Sequence, residues 1–311
     1  MAEGRRIVFA GTPTFAAVVL AHLLRRGEAL VGVLTQPDRP AGRGRKLQAS
    51  PVKMLASEAG LPILQPESSR APETLDWLRQ LAPDLLIVVA FGQILPQAML
   101  DLPRLGAINV HASLLPAWRG AAPIARAIAA GDTETGICIM QMEAGLDSGP
   151  VLWTRTTPIF DTDTAATLHD RLAELGAEAL GEALDRLWDG GLQAVPQDAT
   201  RVSYAKKLRK EEARIDWAQS ASVLDRQIRA FHPYPVAHTA FRGQNLRVWS
   251  ASRGVGVGSP GTVIALHAEG PEIACGEGSL VLTRVQPAGK AQLSGADFVR
   301  GYRPMPGEVF A

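Results

Sequence analysis

The sequence predicts an α/β protein: a doubly wound, mostly parallel, Rossmann-like sheet domain followed by a small OB-like β-barrel domain. Three observations point there. Up to about residue 190, short apolar runs alternate with amphipathic stretches of helical spacing. One run, Asp84 to Ala90 (DLLIVVA), is apolar throughout its middle, as a strand covered on both faces must be. After about residue 208 the texture changes to short segments punctuated by glycine, the pattern of a small closed sheet.

The elements follow in order. Arg6 to Ala10 predicts the first strand, ended by the turn Gly11-Thr12-Pro13, and Phe15 to Arg25 the first helix. Ala29 to Thr35 is a second strand. Pro51 to Glu58 predicts a helix with Ser50 as its N-cap, since a hydroxyl there can accept a free amide of the first turn. Leu61 to Leu64 is a short third strand, and Pro72 to Leu81 a helix opened by proline. Gly106 to Val110, Gly136 to Met142 and Pro150 to Thr154 are further strands. A long helix, Thr164 to Leu187, ends before Gly190-Gly191. Residues 192–207 lack strong periodicity and read as a linker. Glu211 to Ile228 reads as mixed helix. Leu246–Ser250, Gly261–Leu266, Glu272–Ala274 and Ser279–Val285 then supply the strands of the barrel. The expected division is therefore 1–191, a linker at 192–207, and 208–311.

A chain of 311 residues suits two domains, and 46% hydrophobic residues suit a globular protein with a sizeable core. The first apolar run, Ile7 to Ala10, is too short for a signal-peptide core, and no run reaches membrane-spanning length. A cytoplasmic location is expected. Cys138 and Cys275 form no metal-like spacing and read as buried apolar residues, so no metal is expected. The absence of heptads favours a monomer. Charge is unevenly spread: residues 1–204 hold 18 Lys and Arg against 22 Asp and Glu, while residues 205–311 hold 14 against nine. A basic C-terminal half hints at a polyanionic partner.

Four features carry chemistry. The Gly11-Thr12-Pro13 turn lacks the glycine spacing of a dinucleotide loop and the ending of a phosphate loop. It reads as a strand–helix connection on one wall of a crevice. Gln36 to Leu47 is long and polar, with Arg39, Arg43, Arg45 and Lys46 among glycines and prolines. It is either a solvated loop or a mobile basic loop that grips phosphates. Phe91-Gly92-Gln93-Ile94-Leu95-Pro96 is either packing plus a turn or the holder of a flat heterocycle. Lastly, Asn109 and His111 stand two residues apart at a strand end, so both side chains share a face. Asp147 lies in a Gly-Leu-Asp-Ser-Gly turn able to reach the imidazole. A carboxylate there would favour the imidazolium and fix the ring's tautomer. The three groups suit stabilising an oxyanion while an amine attacks a carbonyl-level carbon.

Residues 109–116 (NVHASLLP) and Gly145-Leu146-Asp147-Ser148-Gly149 resemble the signature of the 10-formyltetrahydrofolate-dependent formyltransferases. The likeness extends over nearly the whole chain: FAGTP from Phe9, TQPDRPAGRGRKL from Thr35, SPVKMLA from Ser50, YAKKLRKEEARIDW from Tyr204 and QPAGK from Gln286. The basic loop and the segment after the linker are closest to relatives that formylate initiator methionyl-tRNA. The resemblance implies that 1–191 is the catalytic domain, with Asn109, His111 and Asp147 catalytic. It implies 10-formyltetrahydrofolate as donor, held near Phe91, Gly92, Ile94 and Leu95 and by Ser113, Leu114, Leu115 and Pro116. It implies tRNA contacts at Arg39, Arg43, Arg45, Lys46, Lys206, Lys207 and Lys210, with Arg43 at the acceptor end and the barrel helping to hold the tRNA. Ala112 stands where many relatives carry glycine. Rival readings are a formyltransferase acting on a small amine (a purine precursor or an amino sugar), a non-catalytic RNA-binding protein and a formyl-donor hydrolase. A salt titration separates the small-amine reading, and release of tetrahydrofolate tests the other two.

Overall fold

In the computed structural model, which describes residues 5–41 and 46–311, the apolar runs of the first half become one seven-stranded sheet. β1 (Ile7–Gly11) is buried along its length and feeds α1 (Thr14–Arg25). At Gly11 a Cβ would stand 2.7 Å from the Ala16 Cβ, so only glycine lets the strand turn this tightly into the helix. β2 (Leu30–Leu34) pairs parallel with β1. A hairpin follows, β3 (Arg39–Ala41) against β4 (Lys46–Gln48). The sequence reading has only a loop here, because three-residue strands rich in charge and proline carry no apolar alternation.

α2 (Pro51–Glu58) begins as expected, with the Ser50 Oγ accepting the Lys53 N–H at 3.0 Å. β5 (Ile63–Leu64), α3 (Pro72–Leu81), β6 (Leu85–Val89), a single turn α4 (Gln97–Leu100) and β7 (Ala107–His111) come next. After them come β8 (Arg119–Gly120), α5 (Pro123–Ala130), β9 (Glu134–Gln141), β10 (Val151–Pro158) and α6 (Ala165–Trp188). The sheet order is β10-β9-β7-β6-β1-β2-β5. β9 runs antiparallel to both β7 and β10; the other pairs are parallel. β6 lies in the interior of this sheet, and all five of its residues are buried, which is why its sequence is uniformly apolar.

The described residues group into two compact units. One comprises Met1–Gly120, Glu134–Pro158 and His169–Ala205; the other Ala121–Thr133, Ile159–Leu168 and Lys206–Ala311. Residues 195–205, read as linker, are tied into the first unit. Val195 bridges to Val151, Ala199–Arg201 form a 3-10 turn, and β11 (Tyr204–Ala205) pairs parallel with β8. Their attachments are hydrogen bonds to backbone, which leave no periodic trace in sequence.

The second unit is a curled antiparallel sheet accompanied by α5 and two further α-helices. β12 (His238–Phe241), β13 (Gln244–Gly254), β14 (Val263–Leu266), β15 (Pro271–Ala274) and β16 (Ser279–Pro287) are ordered β12-β13-β16-β15-β14, and β17 (Leu293–Ser294) adds to β16. β13 is eleven residues long, and its register shifts near Ser250, the irregularity that bends a strand. α7 (Ala221–Ala230) and α8 (Gly295–Tyr302) flank the sheet. Phe241, Phe298 and Phe310 stack and tilt against one another within the core of this unit.

Candidate active site

β7 carries the site at its carboxyl end, where an open parallel sheet leaves a crevice. Asn109 is half-buried, and its register partners are Val88 and Met140. His111, opposite Cys138, is only 6% exposed. Its Nε2 lies 3.1 Å from the Trp118 carbonyl oxygen. A carbonyl can only accept, so Nε2 carries the ring proton. That leaves Nδ1 facing the Asp147 carboxylate, with Oδ2 at 3.7 Å. The separation exceeds a direct hydrogen bond but is close enough for strong charge coupling in a buried setting.

Asp147 is fixed by its own bond: Oδ2 accepts the Gly120 N–H at 2.7 Å. Both Asp147 (φ 47°) and Trp118 (φ 62°) adopt left-handed backbone. For residues with a side chain this costs about 1–2 kcal/mol each, sustained only where surrounding contacts hold it.

One expectation is corrected here. The sequence reading has His111 as a resting imidazolium. Burial instead pushes its pKa below the ordinary value, and the opposing pulls of Asp147 and the Trp118 carbonyl do not fully restore it. That direction favours the neutral ring, and the Trp118 carbonyl places its proton on Nε2.

The segment after β7 is anchored from beneath. The Ser113 side chain is fully buried, and its hydroxyl donates to the Ala117 carbonyl at 2.6 Å. Ser113, expected to meet the donor, is engaged in this bond within its own loop. The Leu115 N–H points at the Cys138 sulfur at 3.3 Å, and burial raises that thiol's pKa. Leu114 packs over Gly136, where a Cβ would sit 2.6 Å from its Cδ2. Leu114, Leu115 and Pro116 remain half-buried.

The Phe91–Pro96 segment divides in the same way. Phe91 and Leu95 are buried with Leu86, Val88 and Met99, so their rings and branches form core. The Phe91 carbonyl accepts from the Thr12 hydroxyl at 2.9 Å and the Gln36 amide at 3.2 Å. Gly92 turns with φ 87°, and Ile94 is 78% exposed. Of this segment, Gly92 and Ile94 stay exposed. A polar cleft of about 480 Å³ opens beside Ala107, Met142 and Glu143, and neither expected donor segment lines it.

Of the basic positions, Arg39 and Lys46 are exposed on the hairpin, and Arg39 Nη2 donates to the Gln36 Oε1 at 3.3 Å. Asp38 anchors the hairpin base through Lys53 at 2.7 Å and Gln65 at 2.8 Å. Arg43 and Arg45 lie outside the described residues. Lys206, Lys207 and Lys210 are exposed in the second unit.

Four residues beside the site escape the sequence reading: Trp118, Arg119, Gln197 and Ser203. The Trp118 N–H donates to the Ser203 Oγ at 2.9 Å, and the Arg119 N–H to the Ser203 carbonyl at 2.9 Å. Gln197 joins Arg119 to the Asp147 turn. Nothing in local periodicity marks residues that act through bonds reaching 48 to 85 positions away.

The formyl transferase family profile matches residues 5–184, and that of the formyl transferase C-terminal domain matches 207–303. Methionyl-tRNA formyltransferase of Acidithiobacillus ferrooxidans is 64% identical over 312 residues, covering 99% of each chain. Among solved structures, an N-formyltransferase from Helicobacter canadensis, in complex with folinic acid and dTDP-3-aminofucose, superposes with a TM-score of 0.68. It is 16% identical over 91% of this chain and 99% of that one. HypX from Aquifex aeolicus, in complex with tetrahydrofolic acid, gives 0.66 at 19% identity; this chain covers 46% of it, about half its length, and 95% of itself is matched. At those identities the two structures show a shared fold alone. With both family profiles matched and a near-full-length relative at 64% identity, the chain belongs to the formyl transferase family, among the methionyl-tRNA formyltransferases.

Proposed function

We propose that this chain transfers the formyl group of 10-formyltetrahydrofolate to the free α-amino group of methionine esterified to initiator tRNA. The observation that carries the chemistry is the placement of Asn109 and His111 on one strand end, with Asp147 3.7 Å from the imidazole. Family membership supports the choice of donor and acceptor.

The neutral amine attacks the formyl carbon, forming the new C–N bond as the carbonyl electrons move onto oxygen. The Asn109 carboxamide donates to that oxygen as charge develops, a stabilisation worth about 3 kcal/mol for one preorganised donor. His111, neutral at rest, accepts the amine's proton on Nδ1. Asp147 stabilises the imidazolium only once it forms, which is where its charge is most useful. As the bond to the folate N10 breaks, the same proton passes to that nitrogen. Metal and covalent enzyme intermediate are both unnecessary to this scheme.

For the donor, the Gly92 backbone, Ile94 and the half-buried Leu114, Leu115 and Pro116 provide the contacts, while Phe91, Leu95 and Ser113 stiffen them from behind. The 1–191 portion carries the chemistry. We read 208–311 as an OB-like barrel that, with Arg39, Arg43, Arg45, Lys46, Lys206, Lys207 and Lys210, holds the tRNA phosphates. The protein acts as a monomer in the cytoplasm, where charged initiator tRNA is found. Among the described residues no helix is long and apolar enough to cross a membrane.

The test supplies isotope-labelled formyl donor with charged initiator and elongator methionine tRNAs. Label is expected on the initiator species, with tetrahydrofolate released in equal amount. Label passing to water, or only to a small amine, rejects the reading.

A further inference from the structure

We infer that Gln197 is a positioning residue for the Asp147–His111 pair. Its neighbours from Gln193 to Thr200 are all exposed, whereas Gln197 itself is half-buried and fully engaged. The Gln197 Nε2 donates to two carbonyls of the carboxylate's turn, that of Asp147 at 2.9 Å and that of Gly149 at 2.7 Å. Its Oε1 accepts from Arg119, with Nε at 3.0 Å and Nη2 at 2.8 Å. The amide cannot be reversed, because carbonyls only accept and a guanidinium only donates.

These four bonds join the two strained places of the site. Arg119 follows Trp118, whose left-handed backbone presents the carbonyl that holds His111 Nε2. Asp147 is the other left-handed residue, and its carboxylate faces the opposite ring nitrogen. A conformation of this kind persists only when several contacts specify it together. The Gly120 N–H fixes the carboxylate itself; Gln197 fixes the backbone from which the carboxylate hangs. The inference rests on reading Asp147 and His111 as the working pair.

Gln197→Met keeps the length of the side chain and adds no charge, while Gln197→Ala removes it. Both are expected to stay folded by thermal melting, and kcat is expected to fall roughly tenfold to a hundredfold, because a displacement of about 1 Å at a reacting pair costs that much. KM for the tRNA should change less than about twofold, since Gln197 bonds to the Asp147 turn and Arg119 and to none of the basic residues read as tRNA contacts. A second measurement is independent of catalysis. His111 faces Asp147 from its turn and, across β9, Cys138, whose thiol burial keeps neutral. The titration midpoint of His111, followed by nitrogen NMR, therefore reports the distance of the carboxylate and should drop in both variants. Unchanged kcat, a rise in KM at constant kcat, or a His111 titration that overlays the wild type would each overturn the inference. If the wild-type protein formylates no amine, the proposed function fails instead, and the His111 titration still decides the role of Gln197.

Discussion

Asn109 and His111 stand out because they are polar residues on a strand that otherwise packs Ala107, Ile108 and Val110 into the core. Substituting Asn109 by alanine removes one donor at the developing oxyanion, so turnover should drop roughly a hundredfold with the fold intact. His111→Ala should cost at least as much; wild-type turnover in either variant would take that residue out of the mechanism. His111 also makes a stability prediction whose sign is unusual. Burial lowers its folded pKa below the unfolded value near 6.5, so the unfolded chain binds more protons as pH falls through that region. Its contribution is thus fully present above about pH 6.5 and is lost on acidification. Melting temperature should fall as pH drops below that point, and less steeply in His111→Gln. Parallel slopes would mean that the ring is not held neutral. Asn109 and His111 are legible in sequence because they break an apolar pattern. The neutral state of the ring is not, because it depends on how completely the 112–120 loop encloses it.

At the level of elements, local signals and long-range bonds behave differently. α2 and α3 begin and end where the sequence places them, since proline in the first turn and apolar spacing are both local. Ser50→Ala should cost about 1 kcal/mol, measured as a shift of the urea midpoint, because it removes the cap on Lys53 together with a 2.7 Å contact to the Thr35 hydroxyl. By contrast, α5 (PIARAIAA) is eight residues of mostly small side chains, and only Arg126 marks a polar face. β10 continues to Pro158, beyond its apolar start, because alternate residues of this edge strand face water. Gln197 and Ser203 are the extreme case, polar residues in an aperiodic stretch whose partners lie far away in sequence. Arg126 illustrates what such a link contributes. Its Nη1 meets the Glu212 Oε2 at 2.7 Å, and that bond, with Arg209 nearby, draws the Glu212 carboxyl down to about 2. After discounting for partial exposure, Glu212→Gln should cost about 1–2 kcal/mol at neutral pH. A depressed carboxyl pKa stabilises above the ordinary carboxyl range and loses that effect on acidification. The gap between variant and wild type should therefore narrow between about pH 4.5 and pH 2. A gap independent of pH would show that packing, not charge, is what the substitution removes.

For the whole molecule the informative quantity is the distribution of charge rather than its sum. The chain is nearly neutral at +1, yet residues 205–311 carry 14 Lys and Arg against nine Asp and Glu. Lys206, Lys207 and Lys210 are exposed, and among the described residues no ion pair is seen for any of the three. Lysines left in water at the start of a basic unit are suited to phosphates, each of which releases condensed counterions when contacted. KM for the charged tRNA should therefore rise steeply with salt, while KM for the folate donor moves little. Replacing Lys206, Lys207 and Lys210 together by Gln should flatten the plot of log KM against log salt. Each lost contact is worth about 0.7–0.9 in slope, depending on whether the strand is single or paired. Arg43→Ala should raise KM for tRNA while leaving donor release with a minimal methionyl ester unaffected. A salt response that is flat in the wild type, or equal for tRNA and for a small amine acceptor, would remove the nucleic acid from the account and leave a formyl transferase acting on a small amine.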